Sequence, residues 1–132
     1  MTNKFAPTLT LLLSLGIAVQ SIAHHSFAAV FDVSKPVEVS GTVTDVEWMN
    51  PHAWIHLDVI VDDGNVDSWS FELGSPNGLI RRGWSRATIK SGDAISISGY
   101  RARDGSMRGN VVAVTLATGQ RLDGMSSRPK QN

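Results

Sequence analysis

The sequence has no cysteine among its 132 residues. A disulfide framework, a thiol nucleophile and cysteine-ligated zinc or iron–sulfur chemistry are therefore excluded. It also lacks a surplus of either charge, with 12 Lys and Arg against 12 Asp and Glu and only 18% charged residues. Such a chain has no bulk electrostatic drive toward nucleic acid or anionic lipid. No Gly-x-Ser-x-Gly elbow, phosphate loop or dinucleotide fingerprint is present, and nothing repeats at a fixed period. What remains is a 42% hydrophobic chain of single-domain length, which argues for a folded domain rather than disorder.

Residues 1–23 read as a secretory signal peptide. Lys4 marks a short basic start, a mostly apolar run extends from Leu9 to Val19, and Ser21-Ile22-Ala23 supplies the small residues of a cleavage site. A membrane anchor needs about 20 predominantly apolar residues. This run is shorter and is diluted by Pro7, Thr8, Thr10 and Ser14. Cleavage after Ala23 would release a chain beginning at His24, with no membrane span, into a bacterial periplasm, where a cysteine-free protein is unremarkable.

From Val37 onward apolar residues alternate at period two between turn signals, the pattern of half-buried strands. Val37, Val39, Gly41 and Val43 share one face of a first strand, and the phase then shifts to Val46 and Trp48, as at a bulge. Ala53, Ile55, Leu57 and Val59 form one face of a second strand, leaving His52, Trp54, His56 and Asp58 on the other. Trp69, Phe71 and Leu73 line a third. Ser75-Pro76 opens a short helix with Leu79 and Ile80 as its buried residues and Gly83 as its stop. Ile95, Ile97 and Gly99 line a fourth strand, and Val112, Val114 and Leu116 a fifth, with a last short hairpin at Thr118-Gly119. Three strands, a helix and two strands predict an all-β, five-stranded OB-like barrel, with an open sandwich of short strands as the rival. The expected segments are a signal peptide at 1–23, a histidine-containing N-terminal segment at 24–36, the barrel at 37–122 and a disordered tail at 123–132.

The four histidines carry the chemistry. His24 and His25 open the mature chain, and His52 and His56 flank Trp54 on one strand face. In a regular strand their Cα atoms would lie about 13 Å apart, too far to share an ion, although Pro51 makes the strand start irregular near His52. A mature N-terminal histidine offers an α-amine and an imidazole from one residue. One further imidazole from His25, His52 or His56 would complete a nitrogen site of the histidine-brace type, which favours copper(II). The plainer reading makes His24-His25 a leader with no defined ligand set, His52 a hydrogen-bonded loop residue and His56 a solvated strand residue.

Trp48 and Trp54, with Arg81 and Arg82, form the alternative binding set, suited to a cell-envelope protein or polymer partner. Arg86, Arg101, Arg103 and Arg108 could join them in a basic patch or form a solvated face with local pairs. Trp69 reads as core. Glu47 and Glu72 are acid–base candidates that no spacing in the sequence pairs. The expected role is a non-enzymatic one, metal carriage or partner binding. A copper-brace redox enzyme is a third option that would need an open coordination position.

The stretches His24-His25-Ser26-Phe27-Ala28-Ala29, Asn50-Pro51-His52-Ala53-Trp54 and Glu72-Leu73-Gly74-Ser75-Pro76-Asn77-Gly78-Leu79-Ile80-Arg81-Arg82-Gly83-Trp84 resemble the hallmarks of a family of small exported bacterial proteins of unknown function. The resemblance covers nearly the whole mature chain. It implies export and a single domain, and supplies no activity, substrate or catalytic residue.

Overall fold

The structure is a computed structural model that describes residues 27–125. The expected signal peptide and the pair His24-His25 lie outside the described residues. The strands are β1 (Phe31–Glu47), β2 (Trp54–Ile60), β3 (Val66–Glu72), β4 (Ala94–Ala102), β5 (Arg108–Leu116) and β6 (Arg121–Asp123), with a six-residue helix, α1 (Pro76–Arg81), between β3 and β4, a helical turn at 27–30 before β1 and a 3-10 turn at Asp62–Gly64.

The ring runs β1–β2–β3–β5–β4 and back to β1, antiparallel except for a parallel β3–β5 pairing. This is the five-stranded OB-type barrel predicted from the order of elements, and closure removes the free edges an open sandwich would keep. The single long β1 makes closure possible because it pairs with β4 along Phe31–Thr42 and with β2 along Thr42–Glu47. Its register shifts between Val43 and Asp45. The expected change of phase from Val43 to Val46 is therefore a bulge that bends the strand around the core. β6 adds to the edge of β5 beyond the point where β3 leaves it.

Except on β5, the inward strand faces are those read from the alternation. Ile55, Leu57, Phe71, Leu73, Leu79, Ile97, Val111 and Val114 are fully buried. Each such side chain contributes roughly 1.5–3 kcal/mol of transfer free energy, offset by the entropy of ordering the chain. At α1 the Ser75 hydroxyl accepts the Gly78 N–H at 3.2 Å, Pro76 takes the first turn, and Gly83 follows the last residues with φ +91°.

Three expectations are corrected. Ile80 is 54% exposed while its neighbour Leu79 is buried. Consecutive helical residues point about 100° apart, and a helix this short has one buried face. On β5 the buried side chains are Asn110, Val111, Ala113 and Val114, while Val112 and Leu116 are half-buried, Leu116 still packing against the core. A register shift opposite Ser98/Gly99 passes over Val112 and turns Val111 inward. The barrel also extends past both expected boundaries. β1 begins at Phe31, and the segment expected as a tail from 123 remains packed through Met125. Gly74 N–H donates to the Gly124 carbonyl, Trp84 Nε1 to the Asp123 carbonyl and Arg82 Nη1 to the Met125 carbonyl. Residues 126–132 lie outside the described ones.

The β4–β5 irregularity depends on Gly99, since a Cβ there would overlap the Asn110 carbonyl oxygen, a backbone atom that cannot swing aside. Gly99→Ala should therefore lower the urea midpoint by the equivalent of about 2 kcal/mol with an unchanged slope, and an unchanged midpoint would contradict the packing described.

Candidate functional site

The outward side chains of β1, β2 and β3 assemble the groups singled out above. Register places Trp54 opposite Glu47 on β1 and opposite Glu72 on β3, while His56 lies opposite Asp45 and Ser70. β5 continues the register, with Arg108 beside Ser70 and the fully buried Asn110 beside Glu72. The Arg108 guanidinium then lies over the Trp54 ring, 5.6 Å from its centroid. In OB-type barrels the β2–β3 face and the β1–β2 and β4–β5 loops are the usual ligand surface. His52 belongs to the first of those loops and Arg108 follows the second.

The two histidines share this face and differ in chemistry. His52 precedes β2, where Ala53 N–H donates to the Gly74 carbonyl and Leu73 N–H to the Ala53 carbonyl, prolonging the β2–β3 ladder irregularly. Its Nδ1 sits 3.1 Å from the Leu73 carbonyl oxygen and 3.5 Å from Glu72 Oε1. A carbonyl oxygen only accepts, so Nδ1 carries the proton and Nε2 of a neutral ring keeps its lone pair. His56 is engaged on both sides, with Nδ1 2.9 Å from Ser70 Oγ and Nε2 2.7 Å from Glu47 Oε1. Neither nitrogen is available to a ligand without breaking one of these bonds. Burial pushes the Glu72 carboxyl above its ordinary value, against the pull of His52, when that ring is protonated, and of Arg108.

The Glu47–His56–Ser70 chain has the order of a nucleophile, base and orienting carboxylate. However, Ser70 N–H donates to the Met107 carbonyl at 3.0 Å, which removes the backbone donor that an oxyanion hole would draw from the nucleophile's own residue. The chain of bonds is a cross-strand tie. Among the described residues, no three His, Cys, Asp or Glu side chains gather closely enough to hold a metal by themselves.

The alternative binding set is spread out rather than joined. Arg82 bonds the Met125 carbonyl and lies 3.7 Å from Asp123, which ties α1 to the end of β6. Arg81 is exposed on α1. Arg86 lies over Trp48, Arg101 over Trp69, and Arg103 bonds the Ala28 carbonyl and faces Asp32. The arginines therefore form separate local contacts. Trp69 and Trp84 are core residues, leaving the half-buried Trp48 and Trp54 at the surface. The sequence reading left Glu47 and Glu72 unpaired and gave no role to Ser70. Only cross-strand register brings these residues to the histidines.

A family model described as a family of unknown function, DUF6152, matches residues 12–111. The chain belongs to that family. The match spans β1 through β4 and the start of β5, so every residue of the face just described lies inside the DUF6152 region. No curated protein matches the chain. Among the described residues of this DUF6152 chain, no helix is long and apolar enough to cross a membrane.

The His56–Glu47 pair is partly exposed, so its coupling should be modest. A double-mutant cycle of His56→Ala and Glu47→Ala, read by urea denaturation, should give about 0.5 kcal/mol. A coupling indistinguishable from zero would remove the tie.

Proposed function

We propose that this is an exported, periplasmic and non-enzymatic barrel that binds copper through the α-amine and imidazole of His24 and the Nε2 of His52. The observation that carries the reading is the bond from His52 Nδ1 to the Leu73 carbonyl. Metal-ligating histidines commonly donate their other ring N–H to a carbonyl or carboxylate, which orients the ring and raises its basicity. His52 has that arrangement, with Glu72 as a second neighbour. His56 also meets a carboxylate, Glu47, but its other ring nitrogen is occupied by Ser70 Oγ, and it leaves the proposed ligand set. His25 is the remaining candidate for a further nitrogen.

Chain reach is compatible with this set. Phe27 packs against Phe31 and Tyr100, with ring centroids 5.4 Å and 6.5 Å away. Tyr100, Asn110 and Glu72 stand in register on β4, β5 and β3. Tyr100, on which Phe27 packs, thus lies about two ladder spacings of ~4.8 Å from Glu72. His24 precedes Phe27 by three residues, a stretch that can span about 10 Å. Nitrogen ligation of this kind favours copper(II) over the hard divalent ions.

One observation favours a second reading. Trp54 and Trp48 remain half-buried near the usual OB ligand surface, each with an arginine over its ring. An envelope protein or polymer could dock there without any metal.

Protein exported natively, with an intact mass that begins at His24, should bind copper(II) 1:1 with nitrogen hyperfine structure in its EPR spectrum. One extra residue before His24, or His52→Ala, should weaken binding at least tenfold, whereas His56→Ala and Trp54→Ala should not. Binding no tighter than that of a free His-His peptide would overturn the copper reading.

A further inference from the structure

Charge on this chain balances overall but is segregated along it. Asp58 to Glu72 contains five carboxylates and no Lys or Arg, while Leu73 to Gly92 contains four basic residues and no Asp or Glu. The acidic block is the end of β2, the turn at Asp62–Gly64 and β3, and the basic block is α1 with the loop after it. β3 joins them. Its seven residues extend about 20 Å, which sets the hairpin tip and α1 at opposite ends of one strand. Within the chain, the tip carboxylates Asp62 and Asp63 make no ion pair with Arg81 or Arg86.

Each block also exposes aliphatic surface. At the tip, Ile60 is 78% exposed and its cross-strand partner Val66 is 54% exposed, with Val61 beside them. On α1, Ile80 is 54% exposed beside the exposed Arg81. Among the described residues, no ion pair engages Asp62, Asp63 or Asp67, while Asp58 only accepts the Ser68 hydroxyl. An apolar tip ringed by carboxylates fits an apolar, basic surface and is repelled by an anionic membrane.

We propose that the β2–β3 hairpin tip of one copy docks on α1 and the following loop of a second copy, head to tail. Ile60 and Val66 would meet Ile80, and Asp62 and Asp63 would face Arg81 and Arg86. The contact is heterologous, so each added copy leaves one tip and one helix open, and association continues into a chain or a ring. A hairpin tip buries little area, which makes the contact weak and sensitive to ionic strength.

Sedimentation velocity in chelator, so that copper plays no part, tests this directly. The average mass of the wild type should rise with concentration at low salt and fall back to the monomer at high salt. Ile60→Ser/Asp62→Asn/Asp63→Asn removes the tip, and Ile80→Ser/Arg81→Gln/Arg86→Gln removes the helix surface. These are exposed positions, and unchanged melting temperatures would show that both variants fold. Each variant alone should stay monomeric, and a 1:1 mixture should give dimers and nothing larger, because one intact tip meets one intact helix. A wild type that is monomeric throughout, a variant that associates like the wild type, or a mixture that stays monomeric would each overturn the proposal, and a protein retained on anionic vesicles through the tip would do so as well.

Discussion

The parallel pairing of β3 with β5, at Ser70–Arg108, Phe71–Gly109 and Glu72–Asn110, closes the barrel and positions nearly everything else. It admits no side chain at its centre, because a Cβ on Gly109 would overlap the Phe71 ring. With the ring closed, Arg108 arrives beside Ser70 and reaches Trp54, and Glu72 lies level with Tyr100 two strands away. β5 is then free beyond Asn110 to accept β6, which brings Asp123 and Met125 to Trp84 and Arg82. Without those three residue pairs the β1–β2–β3 meander would keep an open edge and Trp54 would lose the Arg108 guanidinium over its ring.

On that face, identical side chains acquire different capacities from their partners. His52 and His56 are two strand steps either side of Trp54, yet one donates to a carbonyl while the other is held between a hydroxyl and a carboxylate. Hydrogen bonding, rather than exposure, decides which ring can offer a lone pair. The irregular entry into β2 produces the difference. The Ala53–Gly74 and Leu73–Ala53 bonds draw the loop over the end of β3, which brings the His52 ring to the Leu73 carbonyl.

The features visible in the sequence were those written in local periodicity and local bonding: the alternation of β2 and β3, the bulge after Val43, the Ser75 cap and the Gly83 stop. Each depends on residues within a few positions of one another. The features that were not visible depend on partners far along the chain. Glu72 reaches His52 through hairpin register, and Val112 is passed over because of an irregularity facing Gly99 on another strand. The packing of Gly124 and Met125 requires Gly74, Val111 and Arg82, none of which is near them in sequence. Ile80 was misplaced for a different reason, since an apolar residue next to a buried one on a short helix faces away from the core.

The central claim is that His52 presents an unprotonated Nε2. Long-range proton–nitrogen correlation spectra of 15N-labelled protein report that directly, because the protonated and unprotonated ring nitrogens differ widely in shift. The account predicts His52 in its Nδ1–H form near neutral pH, with the His52 signals broadened first as copper(II) is added and those of His56 persisting. A His52 ring in the Nε2–H form, or one that copper leaves untouched, would contradict it.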